Sequence, residues 1–289
     1  WDLFDMPAYP PLPHGTFYRR SPSVSIITTR GCFYSCTFCA ANLTFGKKVR
    51  RRSAKNVVDE IELLHNNYGI KEFHFADDNF THSKAHAMGV AQEIIDRKCD
   101  IVWSCPNGVR IDLLDNKLLN KMRESGCYRL SVGIESFSQK ILNKAKKRLD
   151  VSRIPERIQM IKDAGLEVEG FFIFGLPGET EDTIRHTIKK ALELPLDLAR
   201  FHAIIPLPGT HIYDEWFKGV NSPSNFSRMS VLSRNPYKNI DPSLPDVVKY
   251  QRLAHRRFYL RPKYLLKTLS GIKYKQLAWL IKRAFMLFS

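Results

Sequence analysis

Between about residue 24 and residue 204, short apolar runs alternate with longer segments whose apolar residues recur at helical spacing. That alternation predicts repeated strand and helix units around a parallel sheet. Six strands are expected, over residues 24–28, 71–76, 100–104, 128–133, 167–174 and 198–204, each followed by a helix or by a loop and helix. The first long helix shows the logic. Val57, Ile61, Leu64 and Tyr68 share one face, Ser53 can cap the start and Gly69 can end it. Gly126 and Gly165 close two further helices in the same way, after residues 118–125 and 154–164. Six such units are too few for a standard eight-stranded barrel but suit an open, partial one. The expected fold is therefore α/β, a partial (β/α)6 TIM-like barrel over 22–215. A linker at 1–21 precedes it and a basic, mostly helical extension at 216–289 follows it.

Composition narrows this picture without changing it. The 289 residues are 44% hydrophobic and 26% charged, the profile of a folded globular chain rather than a disordered one. No apolar run approaches the roughly 20 residues of a membrane span, and the first residues lack a signal-peptide pattern, so a cytoplasmic location is expected. The chain begins on Trp1, and prolines at 7, 10, 11 and 13 resemble a linker, so an upstream domain is expected to precede it. The net charge of +16 is uneven: after Asp246 there are eleven Lys and Arg and no acidic residue. Tyr264, Leu265, Leu269, Trp279, Ile281 and Phe285 are mixed with those charges. Such a tail can lie on an anionic membrane surface, at the inner face of a membrane, or pack on the barrel as amphipathic helices. Nucleic acid is a third, weaker partner class, since no RNA-binding motif accompanies the basic and aromatic residues.

Candidate chemistry concentrates after the first strand, in Arg30-Gly31-Cys32-Phe33-Tyr34-Ser35-Cys36-Thr37-Phe38-Cys39. Three of the six cysteines fall within these ten residues, which points to metal ligation rather than to a disulfide scaffold. Three thiolates suit three irons of a cubane and leave the fourth iron open to a chelating substrate. A structural zinc site would want four closed ligands, and no partner pair lies nearby. Cys99, Cys105 and Cys127 lack paired spacing and read as small buried residues.

With an aromatic residue, Phe38, just before the third cysteine, this loop resembles the radical S-adenosylmethionine superfamily. The resemblance extends from about Val24 to Pro208. It implies a 4Fe-4S cluster on Cys32, Cys36 and Cys39, S-adenosylmethionine on the open iron, and a partial (β/α)6 barrel. Further roles follow strand by strand. Asp77 or Asp78, after the second strand, would receive the methionine amine, and a carboxylate suits an ammonium. Glu135, in Ser131-Val132-Gly133-Ile134-Glu135-Ser136, would take the ribose hydroxyls. Lys147, between Lys146 and Arg148, would reach the methionine carboxylate. Gly175, in Gly170-Phe171-Phe172-Ile173-Phe174-Gly175-Leu176-Pro177-Gly178-Glu179, and Ile205, after the sixth strand, would lie along the adenine. Asn107 and Arg110 face the same mouth, with no role assigned.

The implied reaction is reductive cleavage of S-adenosylmethionine to a 5'-deoxyadenosyl radical that takes hydrogen from a substrate. An external one-electron reductant of flavodoxin or ferredoxin type would supply the electron. No cysteine set for an auxiliary cluster follows Cys127. The flanks Trp1-Asp2-Leu3-Phe4-Asp5 and Arg257-Phe258-Tyr259-Leu260-Arg261-Pro262 resemble members with an N-terminal cobalamin-binding domain, methyltransferases and the anaerobic magnesium-protoporphyrin ester cyclase among them. No D-x-H-x-x-G motif is present, so cobalamin would be held by a domain outside this chain. The expected outcome is C-methylation or oxidative cyclisation of a lipid, isoprenoid or tetrapyrrole-like small molecule. The alternatives are a nucleic-acid-modifying member and a noncatalytic electron carrier.

Overall fold

The computed structural model describes residues 18–217, 244–262 and 264. In chain order they form β1 (Ser23–Ile26), β2 (Thr29–Arg30), α1 (Ala41–Phe45), β3 (Arg50–Arg51), α2 (Ala54–Tyr68), β4 (Glu72–Phe75), α3 (Lys84–Asp96), β5 (Val102–Val109), α4 (Asn116–Glu124), β6 (Cys127–Glu135), α5 (Gln139–Lys144), α6 (Ile154–Asp163), β7 (Glu167–Phe174), α7 (Glu181–Glu193), β8 (Leu198–Ala203), α8 (His211–Trp216) and α9 (Val247–Tyr259). The cap signals act as expected. Ser53 accepts from Asn56 N at the start of α2, and Gly69 ends that helix in the left-handed conformation.

Six strands pair in the order β1-β4-β5-β6-β7-β8, every pair parallel. Strand order that only follows chain order rolls the sheet one way and creates no switch point, so the sheet is an open barrel with β1 and β8 at its edges. Helices coat the outer face. There Phe75 stacks on Trp103 at 4.5 Å and Phe172 on Phe201 at 5.0 Å, all four side chains fully buried. The inner face is polar. At the floor, under the amino ends of the strands, buried Glu72 accepts from the backbone N–H of Arg19 and Arg20, from Tyr128 Oη at 2.6 Å and from His74 at 2.9 Å. Glu167 is held there by Arg19 and Arg129.

Two details depart from the expected elements. β5 runs on to Val109, past the expected end at residue 104 and through Pro106-Asn107-Gly108; register shifts on its β6 side absorb the proline and glycine. A short antiparallel hairpin, β2 with β3, closes the cysteine loop at its base. The 216–289 extension contributes α9, which packs on β7 and β8. The remainder of the basic tail from 265 and the flank 1–17 lie outside the described residues. Among the described residues no helix is long and apolar enough to cross a membrane.

Candidate functional site

Because every strand of the sheet is parallel, the carboxyl ends of β1, β4, β5, β6, β7 and β8 open on one mouth. All the residues singled out from sequence are on that side. The cysteine loop spans from β2 to β3 and is tied down by backbone bonds from Cys32 N to Gly46 O (3.4 Å), Thr37 N to Ala145 O (3.0 Å) and Ile212 N to Thr37 O (3.1 Å). Gly31 turns the chain into the loop at φ 99°; a side chain there would meet Lys48 O at 2.8 Å and Gly46 O at 2.9 Å. Cys32 and Cys36 are half-buried and Cys39 is exposed. Burial pushes the Cys32 and Cys36 thiols up, and the nearby cations oppose it, Arg110 at Cys32 and Lys147 at Cys36. Among the described residues no three His, Cys, Asp or Glu side chains gather around a single point, as one ion would require. Three thiols spread along a loop beside two cations suit a larger cluster whose irons each take one thiolate.

Glu135 and Lys147 meet across the mouth. Glu135 ends β6 with φ 65°, beyond a register shift after Gly133, and this turned backbone aims its side chain off the strand. Lys147 Nζ donates to Glu135 Oε1 at 2.7 Å, and both residues are buried. Burial disfavours the Lys147 charge, yet Glu135 and Cys36 outweigh it and hold the ammonium pKa above its ordinary value. Lys146 and Arg148, on either side, are exposed. Arg110 fixes this segment: its guanidinium donates to Lys147 O at 2.8 Å and Arg148 O at 2.9 Å, binds Asp112, and stacks on Tyr34 at 3.8 Å. It thereby joins β5, the cysteine loop and the lysine segment.

The two aspartates separate. Asp77 is buried and accepts from the N–H and hydroxyl groups of both Thr28 and Thr29. Its carboxylate secures the turn between β1 and β2. Asp78 is half-buried, accepts among the described residues only from Gly31 N (3.2 Å), and lies near enough to Cys32 to influence it. Of the pair, Asp78 has lone pairs to spare. Asn107 donates to Ala76 O at 2.8 Å and so links β5 to the end of β4.

On the far side, Phe38, Ile173, His202, Ala203, Ile204 and Ile205 line an open pocket of about 200 Å³. Phe38 and Ile205 are thus brought together with His202, which sequence reading missed. Gly175 does not lie open to this pocket: a side chain there would meet Ile204 and Val247 at 2.8 and 2.9 Å, so the glycine serves packing of the β7 end against β8 and α9. Glu179 accepts from Gly175 N (2.6 Å) and Leu176 N (3.3 Å) and shapes the same turn. Asn107 and Arg110 had no role assigned from sequence, and His202, Glu169 and Arg200 were not singled out. The last three could have been found from alternation, since Glu169 and Arg200/His202 are polar positions set between buried apolar ones on adjacent strands.

The Radical SAM superfamily profile matches residues 26–191. An uncharacterised methyltransferase of Pyrococcus horikoshii is 32% identical over 98% of this chain and 61% of its own length. The anaerobic magnesium-protoporphyrin IX monomethyl ester cyclase of Rubrivivax gelatinosus is 29% identical over 82% of this chain and 42% of its own. Among solved structures, the radical S-adenosylmethionine methyltransferase TsrM of Kitasatospora setae, with cobalamin and a [4Fe-4S] cluster bound, superposes with a TM-score of 0.62. It is 23% identical and the match covers 68% of this chain and 39% of that one, a likeness of fold. The chain therefore spans less than two thirds of the length of these relatives.

Proposed function

The chain belongs to the Radical SAM superfamily, and on that premise we propose that it is the catalytic barrel of a radical SAM enzyme, a cobalamin-assisted C-methyltransferase or cyclase. The observation that carries this reading is the cysteine loop lying at one mouth with the Glu135–Lys147 pair. Cys32, Cys36 and Cys39 would hold the 4Fe-4S cluster. The chemistry that cluster would supply is one-electron reductive cleavage of S-adenosylmethionine to methionine and a 5'-deoxyadenosyl radical able to take hydrogen from substrate, with the electron coming from an external flavodoxin- or ferredoxin-type reductant.

The chain's own groups position the cofactor. Lys147, kept charged by Glu135 and locked by Arg110, offers a cation for the methionine carboxylate, while Asp78 keeps acceptor capacity for its amine. Glu135 keeps its second oxygen for ribose hydroxyls. Phe38, Ile173 and Ile205 give the adenine an apolar slot with His202 at its edge. Polar groups around Glu72 and Glu167 occupy the opposite end, under the amino ends of the strands. Methyl transfer is favoured by the methyltransferase names of two of the relatives, and cobalamin by the bound state of TsrM. In this chain cobalamin would come from a domain beyond it, and the substrate would be a lipid, isoprenoid or tetrapyrrole-like molecule.

The test is anaerobic reconstitution followed by reduction with S-adenosylmethionine, comparing wild type with Cys36→Ala. Cluster absorbance and 5'-deoxyadenosine are expected in wild type, with both lost in the variant. A full cluster in wild type without any 5'-deoxyadenosine, even with substrate extracts and cobalamin added, would overturn the reading.

A further inference from the structure

Below the pocket, the inner face of β7 and β8 carries a set of charges that the reaction so far does not use. Phe201 marks the outer face, packed on Phe172, Phe174 and Phe258, so its neighbours Arg200 and His202 face the barrel lumen. Arg200 Nε donates to Glu169 Oε1 at 2.6 Å, and Glu169 Oε2 accepts from Ser131 Oγ at 2.7 Å. Glu169 and Ser131 are buried. Arg200 is only partly covered, with 26% of its side chain exposed and its guanidinium 5.7 Å from the Phe171 ring centre. Among the described residues, neither terminal nitrogen of Arg200 donates a hydrogen bond.

We propose that Arg200 anchors the substrate in the lumen, and that the group it anchors is a carboxylate or phosphate. A guanidinium donates and never accepts, so its open edge calls for an acceptor, and the fork formed by its terminal nitrogens matches the spacing of oxyanion oxygens. Glu169 keeps the fork in one orientation by holding Nε and, being itself bonded to Ser131, cannot swing across to the open edge. The contrast with the floor is informative: Arg129 there gives both Nε and a terminal nitrogen to Glu167, which also accepts from Arg19. Arg200 lies two residues before His202, about 7 Å along the strand, and His202 lines the pocket that also contains Phe38. An anion bound at Arg200 would therefore place a carbon a few bonds away under the adenosyl position. This inference rests on the radical reading for what happens to that carbon, but not for the binding itself.

The experiment titrates the cluster-reconstituted full chain, without S-adenosylmethionine, with inorganic phosphate and separately with acetate, at constant ionic strength, by calorimetry and by melting temperature. Arg200→Gln keeps a donor toward Glu169 but lacks the fork; Arg200→Lys keeps the charge without it. Arg185→Gln, an exposed arginine on α7 paired with Glu181 at 3.6 Å, controls for diffuse attraction to a strongly basic protein. Saturable binding is expected in wild type and Arg185→Gln, about tenfold weaker in Arg200→Gln, a difference of roughly 1.4 kcal/mol. The tighter of the two anions identifies the group. Arg200→Lys should fall between them, which settles the matter if Arg200→Gln folds poorly. Equal binding in wild type and both Arg200 variants, or none in wild type, would overturn the inference. The wild-type 5'-deoxyadenosine assay decides the radical reading separately, so either idea can fail while the other stands.

Discussion

A Cβ added at Gly133 would lie 2.6 Å from Glu135 Oε1 and 2.7 Å from Lys147 Nζ. Both are ends of flexible side chains, so Gly133→Ala displaces the pair rather than the backbone. The expected result is a melting temperature lowered by only a few degrees together with about tenfold weaker S-adenosylmethionine binding, ~1.4 kcal/mol, measured by equilibrium dialysis on cluster-loaded protein. Lys147→Met is harsher because Glu135 keeps a buried charge without a partner, which costs about 3–5 kcal/mol in chemical denaturation. Wild-type stability in Lys147→Met would show that the lysine does not hold that charge. Glu179 sets a pH dependence of the opposite kind. Burial raises its pKa from 4.5 to about 8, against the Gly175 and Leu176 N–H groups that favour the charge. Between those values the native protein binds more protons than the unfolded chain. Its contribution is therefore complete below about 4.5 and is lost as the pH rises through about 8. Glu179→Gln cannot ionise, so its urea stability should change less than that of wild type between the two ends of this window. Parallel pH profiles for the two proteins would remove Glu179 as the source.

Elements bring the cysteines to the mouth, and the β2–β3 hairpin is the smallest of them. Its two ends are held only if the chain can pass between Gly46 O and Lys48 O at Gly31. Gly31→Ala is expected to cut iron bound per chain several-fold by cluster absorbance. Gly46→Ala, at φ 78° with nothing within 4 Å of the added carbon, carries backbone strain alone, about 1–2 kcal/mol, and should load nearly normally. Equal loading of both variants would mean that strain, not the close approach, governs the loop. This hairpin was invisible to periodicity, because two-residue strands separated by a long loop have no repeat to read. The six long strands and the helix stops were legible, since burial on one or both faces writes itself into apolar spacing. Of the candidate site, the cysteine loop stood out from spacing alone. Lys147 could not be told from Lys146 and Arg148, since what selects it is a pair of left-handed residues at φ 52° on either side, neither of them glycine or asparagine. Arg110 gave no local signal either, because the carbonyls through which it fixes the lysine segment lie more than thirty residues away in sequence.

At the scale of the molecule, the open barrel has an edge to protect. β8 presents backbone groups with no further strand to pair them, and α9 takes up three of them. Tyr259 Oη accepts from Ala199 N at 3.2 Å and donates to Ala199 O at 2.6 Å, and Gln251 donates to Phe201 O at 2.8 Å. Phe258 and Tyr250 are fully buried behind these bonds. A covered edge neither pairs with another chain nor frays, so α9 completes the barrel although the sequence pattern sets it in the extension. If it is part of the barrel's cooperative unit, Phe258→Ala should lower the unfolding free energy by about 3–5 kcal/mol within a single denaturant transition. The loss should be felt equally by tryptophan fluorescence, which includes Trp103 buried between β4 and β6 on the far side of the sheet, and by far-ultraviolet circular dichroism. If instead the segment from 216 onward folds by itself, the variant would show two transitions, with the Trp103 signal unmoved. In that case β8 would keep an exposed edge on loss of α9, and the protein should self-associate at concentrations where wild type remains monodisperse by light scattering. A single shifted transition places Arg200 and His202 on a strand whose position depends on α9, so substrate anchoring and barrel closure would then rest on the same thirteen-residue helix.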